Sequence, residues 1–309
     1  MNPRVTLAMP VFNGENYIAA ALASLVAQEF DDIEFIITDN ASTDATQAIC
    51  TNYAARDPRI RYVRHEKNLG AAPNYNSGLE LARGEFLKWC AHDDLISPNF
   101  VSACVAALDA RPDAALAFGD TQCVDPAGAF IPWNEENKMG PIEDEDPARR
   151  FHKAIVMAGT CFPIFGLFRM ETLRRTTRHR SYYGSDRALI AETALLGKCV
   201  LVNEAIFYNR EHPKRSINMV DHAARSRWQS TSASRRAAME HVNLLLHLIE
   251  IARRHPTVVS RRAALTQVAK LALQPRQIGR YTLDLIRYVW PEGGSRLRQL
   301  LSRPVSQPG

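Results

Sequence analysis

The chain is predicted to be an α/β protein: a Rossmann-like, mostly parallel sheet flanked by helices, followed by a C-terminal helical appendage. Three observations carry this. Short apolar runs that read as buried strands alternate with helical segments of 10–15 residues up to about residue 118. Each run ends in a cluster of turn-forming polar residues. From Ala223 the texture changes to Arg-rich helical segments broken at Pro256, Pro275 and Pro291.

Val5–Val11 is an apolar run that opens into Phe12-Asn13-Gly14, a strand and a turn. Asn16–Gln28 carries Ile18, Leu22, Leu25 and Val26 on one helical face. Ile33–Thr38 is a second strand, closed by Asp39-Asn40-Ala41-Ser42-Thr43-Asp44, where Thr43 is placed to cap a helix running through Arg56. Ile60–Arg64 is a third strand and Ala71–Ala82 a third helix. After Gly84 comes the strand Glu85–Cys90, and Ser97-Pro98 sets Pro at the first position of a helix. Ala114–Phe118 is a fifth strand. Trp133–Pro147 reads as an acidic surface loop, Ala154–Arg169 as buried, Asp186–Leu196 as a helix and Val200–Tyr208 as a strand. In βαβ sheets ligands sit beyond the carboxyl ends of the strands, so the polar clusters after each strand should converge on one pocket.

The chain has 309 residues, 46% apolar and 23% charged, which excludes global disorder. The net charge of +5 conceals a split. Residues 222–309 hold 15 Lys and Arg against 4 Asp and Glu, a net of +11, and leave −6 on residues 1–221. Six scattered cysteines with no CxxC read as reduced, buried thiols rather than a disulfide framework or a zinc site. The N-terminus does not resemble a signal peptide, and the longest uncharged stretch, Ala154–Phe168, is too short to span a bilayer.

No GxGxxG follows the first strand and no P-loop is present, which disfavours dinucleotide binding and P-loop chemistry. The strand ends offer Asp39, Asp44, Asp93 and Asp94 instead. Carboxylates can hold a divalent cation that bridges phosphate oxygens, and they can accept from a ribose or a base N–H. Asp44 fits helix capping better than ligand contact, whereas Asp39 precedes the cap at a strand end.

Met9-Pro10-Val11-Phe12-Asn13-Gly14-Glu15, Asp39-Asn40-Ala41-Ser42-Thr43-Asp44, Asn68-Leu69-Gly70 with Asn74 and Asn76, and Ala82-Arg83-Gly84-Glu85 leading into His92-Asp93-Asp94 stand in this order. Together they resemble the family 2 inverting glycosyltransferases, over roughly residues 4–215. The resemblance implies the GT-A fold and a nucleotide-diphosphate sugar donor of the UDP or dTDP type. It also implies a divalent metal (Mn²⁺ or Mg²⁺) and a saccharide or lipid-linked glycan acceptor in bacterial glycan or glycolipid assembly. By position it places Pro10, Phe12, Glu15, Asp39, Asn68, Gly70, Asn76 and Asp94 at the nucleotide sugar, and Asp93 at the metal. The family's DXD falls on Ala91-His92-Asp93, so its first acid is missing here, and His92 or Asp94 would have to compensate. Ile164–Arg169 followed by Gly184-Ser185-Asp186-Arg187 resembles the acceptor side, with Asp186 as catalytic base and Ser185 where a partner acid often stands. Tyr208–His212 resembles the family's C-terminal segment, and puts His212 near the metal or diphosphate.

The domain division expected is a GT-A domain over residues 1–221, a basic helical region over 222–301 and a disordered tail over 302–309. Ile278–Trp290 sets apolar residues against Arg276, Arg280 and Arg287, a pattern that fits a helix lying on an anionic membrane and equally a helix docked on the catalytic body. No nucleic-acid motif accompanies this charge. The expected location is cytoplasmic, peripheral at the inner face of the membrane. Two rivals stay open: a sugar-1-phosphate nucleotidyltransferase, disfavoured because no cation stands in Phe12–Glu15, and a degenerate GT-A binding protein, suggested by Ala91 and Ser185.

Overall fold

The structure, a computed structural model, describes residues 2–133, 138–156, 161–219, 221–231 and 239–290. Val5–Val11 forms β1 and Ile33–Asp39 forms β2, and every residue of both is buried. Unbroken runs of this kind suit strands covered on both faces. With β3 (Ile60–Arg64) and β4 (Phe86–Trp89) they make a parallel quartet in the order β3-β2-β1-β4. Parallel alignment sets all four carboxyl ends along one edge, with Val11 opposite Asp39 and Asp39 opposite Arg64.

Beyond β4 the sheet continues through β8 (Leu167–Arg169), β6 (Ala114–Val124), β9 (Lys198–Arg210) and β5 (Leu95–Ile96), with β7 (Phe130–Ile131) paired to β6. β8 is antiparallel to both neighbours, whereas β6 and β9 run parallel. The expected fifth strand over 114–118 extends to Val124 because β9 pairs with it along nearly its whole length. β5 is only two residues long, yet its pairing of Leu95 with Tyr208 and Ile96 with Phe207 brings the 92–94 turn to the end of β9.

The helices are α1 (Ile18–Val26), α2 (Thr46–Arg56), α3 (Ala71–Leu81), α4 (Phe100–Ala110), α5 (Pro147–Val156), α6 (Met170–Arg175), α7 (Ser185–Leu196), α8 (His222–Gln229), α9 (Glu240–Arg254), α10 (Arg261–Ala272) and α11 (Pro275–Val289). Two starts differ from expectation. Thr43 does not cap α2: its amide donates to Asn13, and the helix begins at Thr46, whose amide is taken by Asp44. Pro98 lies in a turn ahead of α4. Ser97 is held extended by exchanging hydrogen bonds with Ile206 of β9, so helical geometry begins only at Phe100.

Alternating side chains of the sheet feed two apolar clusters, one on each face. Val5, Leu7, Met9, Val11, Phe35 and Ile37 pack on one side with α1 and α4. Ala8, Ile36, Leu87 and Trp89 pack on the other with α5 and α7. That second cluster also takes Leu248, Ile251 and Ala252 from α9 and Ala264, Val268 and Leu271 from α10, so one core crosses the expected boundary at residue 221. All six cysteines are free thiols, five of them buried and Cys161 half-buried. Residues 134–137 of the expected acidic loop, 157–160 of the expected buried stretch and everything after 290, including the expected tail, lie outside the described residues.

Candidate active site at the carboxyl edge of the sheet

The loops after β1 and β2 bind each other through paired side-chain and backbone groups. Asn13 N donates to Ser42 Oγ (3.0 Å), Gly14 N to Thr46 Oγ1 (2.8 Å) and Glu15 N to Asp44 Oδ2 (3.0 Å). In return Thr43 N donates to Asn13 Oδ1 (2.8 Å) and Ala45 N to Glu15 Oε2 (3.0 Å). Asn13 adopts φ 52°, a left-handed conformation that Asn tolerates better than most residues. Gly14 lies so close to His92 that a Cβ would stand 2.7 Å from its ring. The absence of a side chain is what lets the first loop approach the acidic turn.

Asp39 is fully buried at the end of β2. Its Oδ1 accepts from Ser42 N (2.9 Å), and its Oδ2 accepts from the Tyr62 hydroxyl (2.5 Å) and faces Arg64 Nε at 3.6 Å. Asn40 gathers the third loop: its Oδ1 accepts from Leu69 N, and its Nδ2 donates to Asn68 Oδ1 and to the Gly70 carbonyl. Gly70 adopts φ 91°, and a Cβ there would meet Ser230 Cα at 2.5 Å, so the end of α8 closes over this glycine.

Arg210, almost wholly buried at the end of β9, organises the acidic turn. Its amide donates to Asp94 Oδ1 (2.8 Å), its Nε to the Asp93 carbonyl (2.9 Å) and its Nη1 to the Pro126 carbonyl (2.9 Å), while its guanidinium lies 5.2 Å from the Tyr17 ring centre. Asp93 Oδ2 meets His212 Nε2 at 2.9 Å, and His212 packs on Tyr17 with ring centres 4.7 Å apart. Burial pushes the Asp93 carboxyl up, but the His92 charge and the His212 hydrogen bond outweigh it and hold the group below its ordinary value. Burial beside Asp93 pushes Asp94 well above its own. Two acids a peptide apart are thus driven in opposite directions.

Asp186 stands half-buried at the start of α7, after Gly184 in left-handed conformation at φ 89°. Burial raises its pKa, against a hydrogen bond from the Arg187 amide and the Arg187 charge. Burial pushes the Tyr75 hydroxyl on α3 up, and the charges of Asp93, Asp94 and Asp186 push it the same way.

The expected residues therefore divide. Asp93, Asp94 and His212 come together, and Asp186 stands at the start of α7. Pro10 is buried in β1, Phe12 is exposed beyond it, and Glu15 ties the first loop to the second. Asn68 supports its own loop by accepting from Gly70 N (2.8 Å). The Asn76 amide is bound on both sides to the backbone of His179 (2.9 and 3.2 Å). Asn40, Tyr62, Tyr75, Tyr17 and Arg210 were not singled out from sequence. For Arg210 the signal was its place two residues before His212 at a strand end.

Among the described residues no group of three or more His, Cys, Asp and Glu stands together as a metal site. The Asp93–His212 pair offers one carboxylate oxygen and one imidazole nitrogen, which fits an ion that takes one or two protein ligands and completes its shell with phosphate oxygens.

Residues 6–169, more than half of the chain, match the family described as glycosyl transferase family 2. The chain belongs to this family. A glycosyltransferase of Rickettsia bellii is 33% identical over 132 residues, 42% of this chain and 19% of that relative. Across eight curated relatives the matched segments take in 14% to 35% of their lengths. Among solved structures, TarS 1–349 of S. aureus in complex with UDP-GlcNAc superposes with TM-score 0.59 at 20% identity, over 96% of this chain and 84% of that one. The mannosyltransferase PcManGT from Pyrobaculum calidifontis, in complex with GDP-Man and Mn²⁺, superposes with TM-score 0.52 at 19% identity, over 94% and 88%. The family 2 chain thus has the GT-A fold, a mixed α/β architecture with a largely parallel sheet.

Proposed function

We propose that this family 2 chain is an inverting glycosyltransferase. It moves a hexosyl or related group from a UDP or dTDP sugar to a hydroxyl of a saccharide or lipid-linked glycan, in bacterial glycan or glycolipid assembly. The observation that carries this reading is the Asp93–His212 pair in the acidic turn at the carboxyl edge of the sheet, together with Asp186, raised by burial, at the start of α7. A carboxylate with a raised pKa takes a hydroxyl proton more readily than an ordinary one. Asp186 accepts the acceptor's proton as its oxygen attacks the anomeric carbon, and the nucleoside diphosphate leaves from the opposite face. One in-line step inverts the centre and needs no covalent nucleophile. Asp93 and His212 would hold a divalent ion, which when bound supplies charge neutralisation at the diphosphate. Pro10, Phe12, Glu15, Asp39, Asn68 and Gly70 line the nucleoside side in this reading.

Asp186→Ala is expected to lower turnover by about 10²–10⁴-fold while leaving nucleotide binding intact. Asp93→Ala is expected to lose Mn²⁺-dependent binding as well. Release of nucleoside diphosphate and calorimetric titration of UDP read the two effects, and near-normal turnover in the Asp186 variant would remove it as the base. Because only the deprotonated carboxylate works, the acid limb of the turnover profile should fall above the ordinary Asp value of about 4. A midpoint below it would contradict the burial argument.

The reading includes a peripheral position at the inner face of a membrane. No helix among the described residues is long and apolar enough to cross one. On α11 the only fully buried residue is Asp284, while Ile278, Leu285, Tyr288 and Val289 are exposed, followed by Trp290. That apolar stripe beside Arg276 and Arg280 suits an anionic lipid surface. Ile278→Asp with Leu285→Asp should reduce pelleting with phosphatidylglycerol vesicles without lowering the Tm. Unchanged pelleting would leave the stripe without a lipid role.

A further inference from the structure

Nine residues, Thr176–Gly184, separate α6 from α7, and the last of them sets the turn on which Asp186 stands. Three side chains from elsewhere hold this segment, the half-buried Asn76 and the buried Glu192 and His247. Asn76 takes the His179 backbone on both sides. Glu192, fully buried two turns into α7, accepts at Oε2 from both the amide and the hydroxyl of Thr177, each at 2.6 Å. His247 of α9 bridges the two ends: its Nε2 lies 2.7 Å from Thr177 Oγ1, and its Nδ1 lies 2.8 Å from the Tyr182 hydroxyl.

The donors in this chain can be assigned. A carboxylate only accepts, so the Thr177 hydroxyl hydrogen points to Glu192. Thr177 Oγ1 must then accept from His247 Nε2–H, which leaves Nδ1 bare to accept from the Tyr182 hydroxyl. Protons point one way throughout, from Tyr182 through His247 and Thr177 to Glu192, whose other oxygen takes His255 at 2.7 Å. We infer that His247 is a positioning residue for the proposed base: its ring staples Thr177 to Tyr182 and so fixes the turn that presents Asp186. This rests on the reading of Asp186 given above. Burial lowers the pKa of His247 to about 4, which keeps the ring in the single-proton form the chain of donors requires. The consequence is that a helix far outside the matched family segment completes the acceptor side of the site.

The test uses the full chain and two readouts. Amide hydrogen exchange needs no substrate: His247→Ala should speed exchange at least tenfold across 176–187 and leave the 12–46 loops unchanged. Turnover with the nucleotide sugar the parent uses should drop at least tenfold in kcat, while calorimetric UDP affinity stays within twofold. His247→Gln, whose amide can still donate to Thr177, should recover part of both effects. Tyr182→Phe removes one hydroxyl only and serves if His247→Ala does not fold; it should give the same pattern in smaller measure. Exchange that is unchanged or faster throughout the molecule overturns the inference, as does a loosened segment with unaltered kcat. Near-normal turnover in Asp186→Ala would instead defeat the base assignment while leaving the exchange result standing.

Discussion

Around the first strands, the loops over 12–15 and 42–46 bind one another through residues 29 to 32 positions apart. The segment that leads to Asp186 is tied to Glu192, 15 positions from Thr177, and to Asn76 and His247, 65 to 103 positions away. The first arrangement follows from a repeated βα unit: two parallel strands in register bring their turns side by side, and short polar side chains close the gap. The second depends on α9, a helix that follows every strand of the sheet in the chain. The first pair of loops is thus closed by short-range partners, whereas the segment before Asp186 also needs α9.

The largest test of that contrast is removal of everything after Met219. Leu248, Ile251, Val268 and Leu271 each contribute about 1.5–3 kcal/mol by burial, against a total stability of about 5–15 kcal/mol for a typical domain. The truncated chain should lack a cooperative thermal transition; a transition within a few degrees of the parent's would show that residues 1–219 stand alone. A smaller perturbation is Glu192→Ala, which strands Thr177, His255 and Arg254 and should cost about 3–5 kcal/mol. The urea midpoint measures it. On the other side, Thr46→Val removes the acceptor for Gly14 N and the hydroxyl bond to Asp44, and should cost about 1–3 kcal/mol. If it costs as much as Glu192→Ala, the two halves do not differ in the way described.

The same contrast explains what could be read in advance. β1 matches its apolar run end for end, because a strand buried on both faces shows no interruption. The meeting of Asp93, Asp94 and His212 was anticipated by motif order, but the agent that joins them was not. Arg210 acts through its own amide and a carbonyl of the turn, and main-chain partners leave no trace in residue identity. Nor could periodicity find β5 and β8, which are two and three residues long and exist through their neighbours' pairing. The Glu192 network was invisible for a different reason. A charged residue inside a helix normally implies an exposed face, and only the later arrival of α9 buries it.

The closure of α8 over Gly70 and of α9 over Glu192 bears on how the chain is made. A ribosome releases residues at about 5–20 per second, so the stretch from 222 to 271 follows the sheet by about three to ten seconds. During that interval the N-terminal loops can already zip together, while α7 carries an uncovered carboxylate beside an apolar cluster that lacks its α9 and α10 members. Synthesis therefore leaves a window in which the nascent sheet is sticky on one face, the face that α9 and α10 later cover. Slowing translation between those points should increase aggregation of the nascent chain, and supplying chaperone there should rescue it.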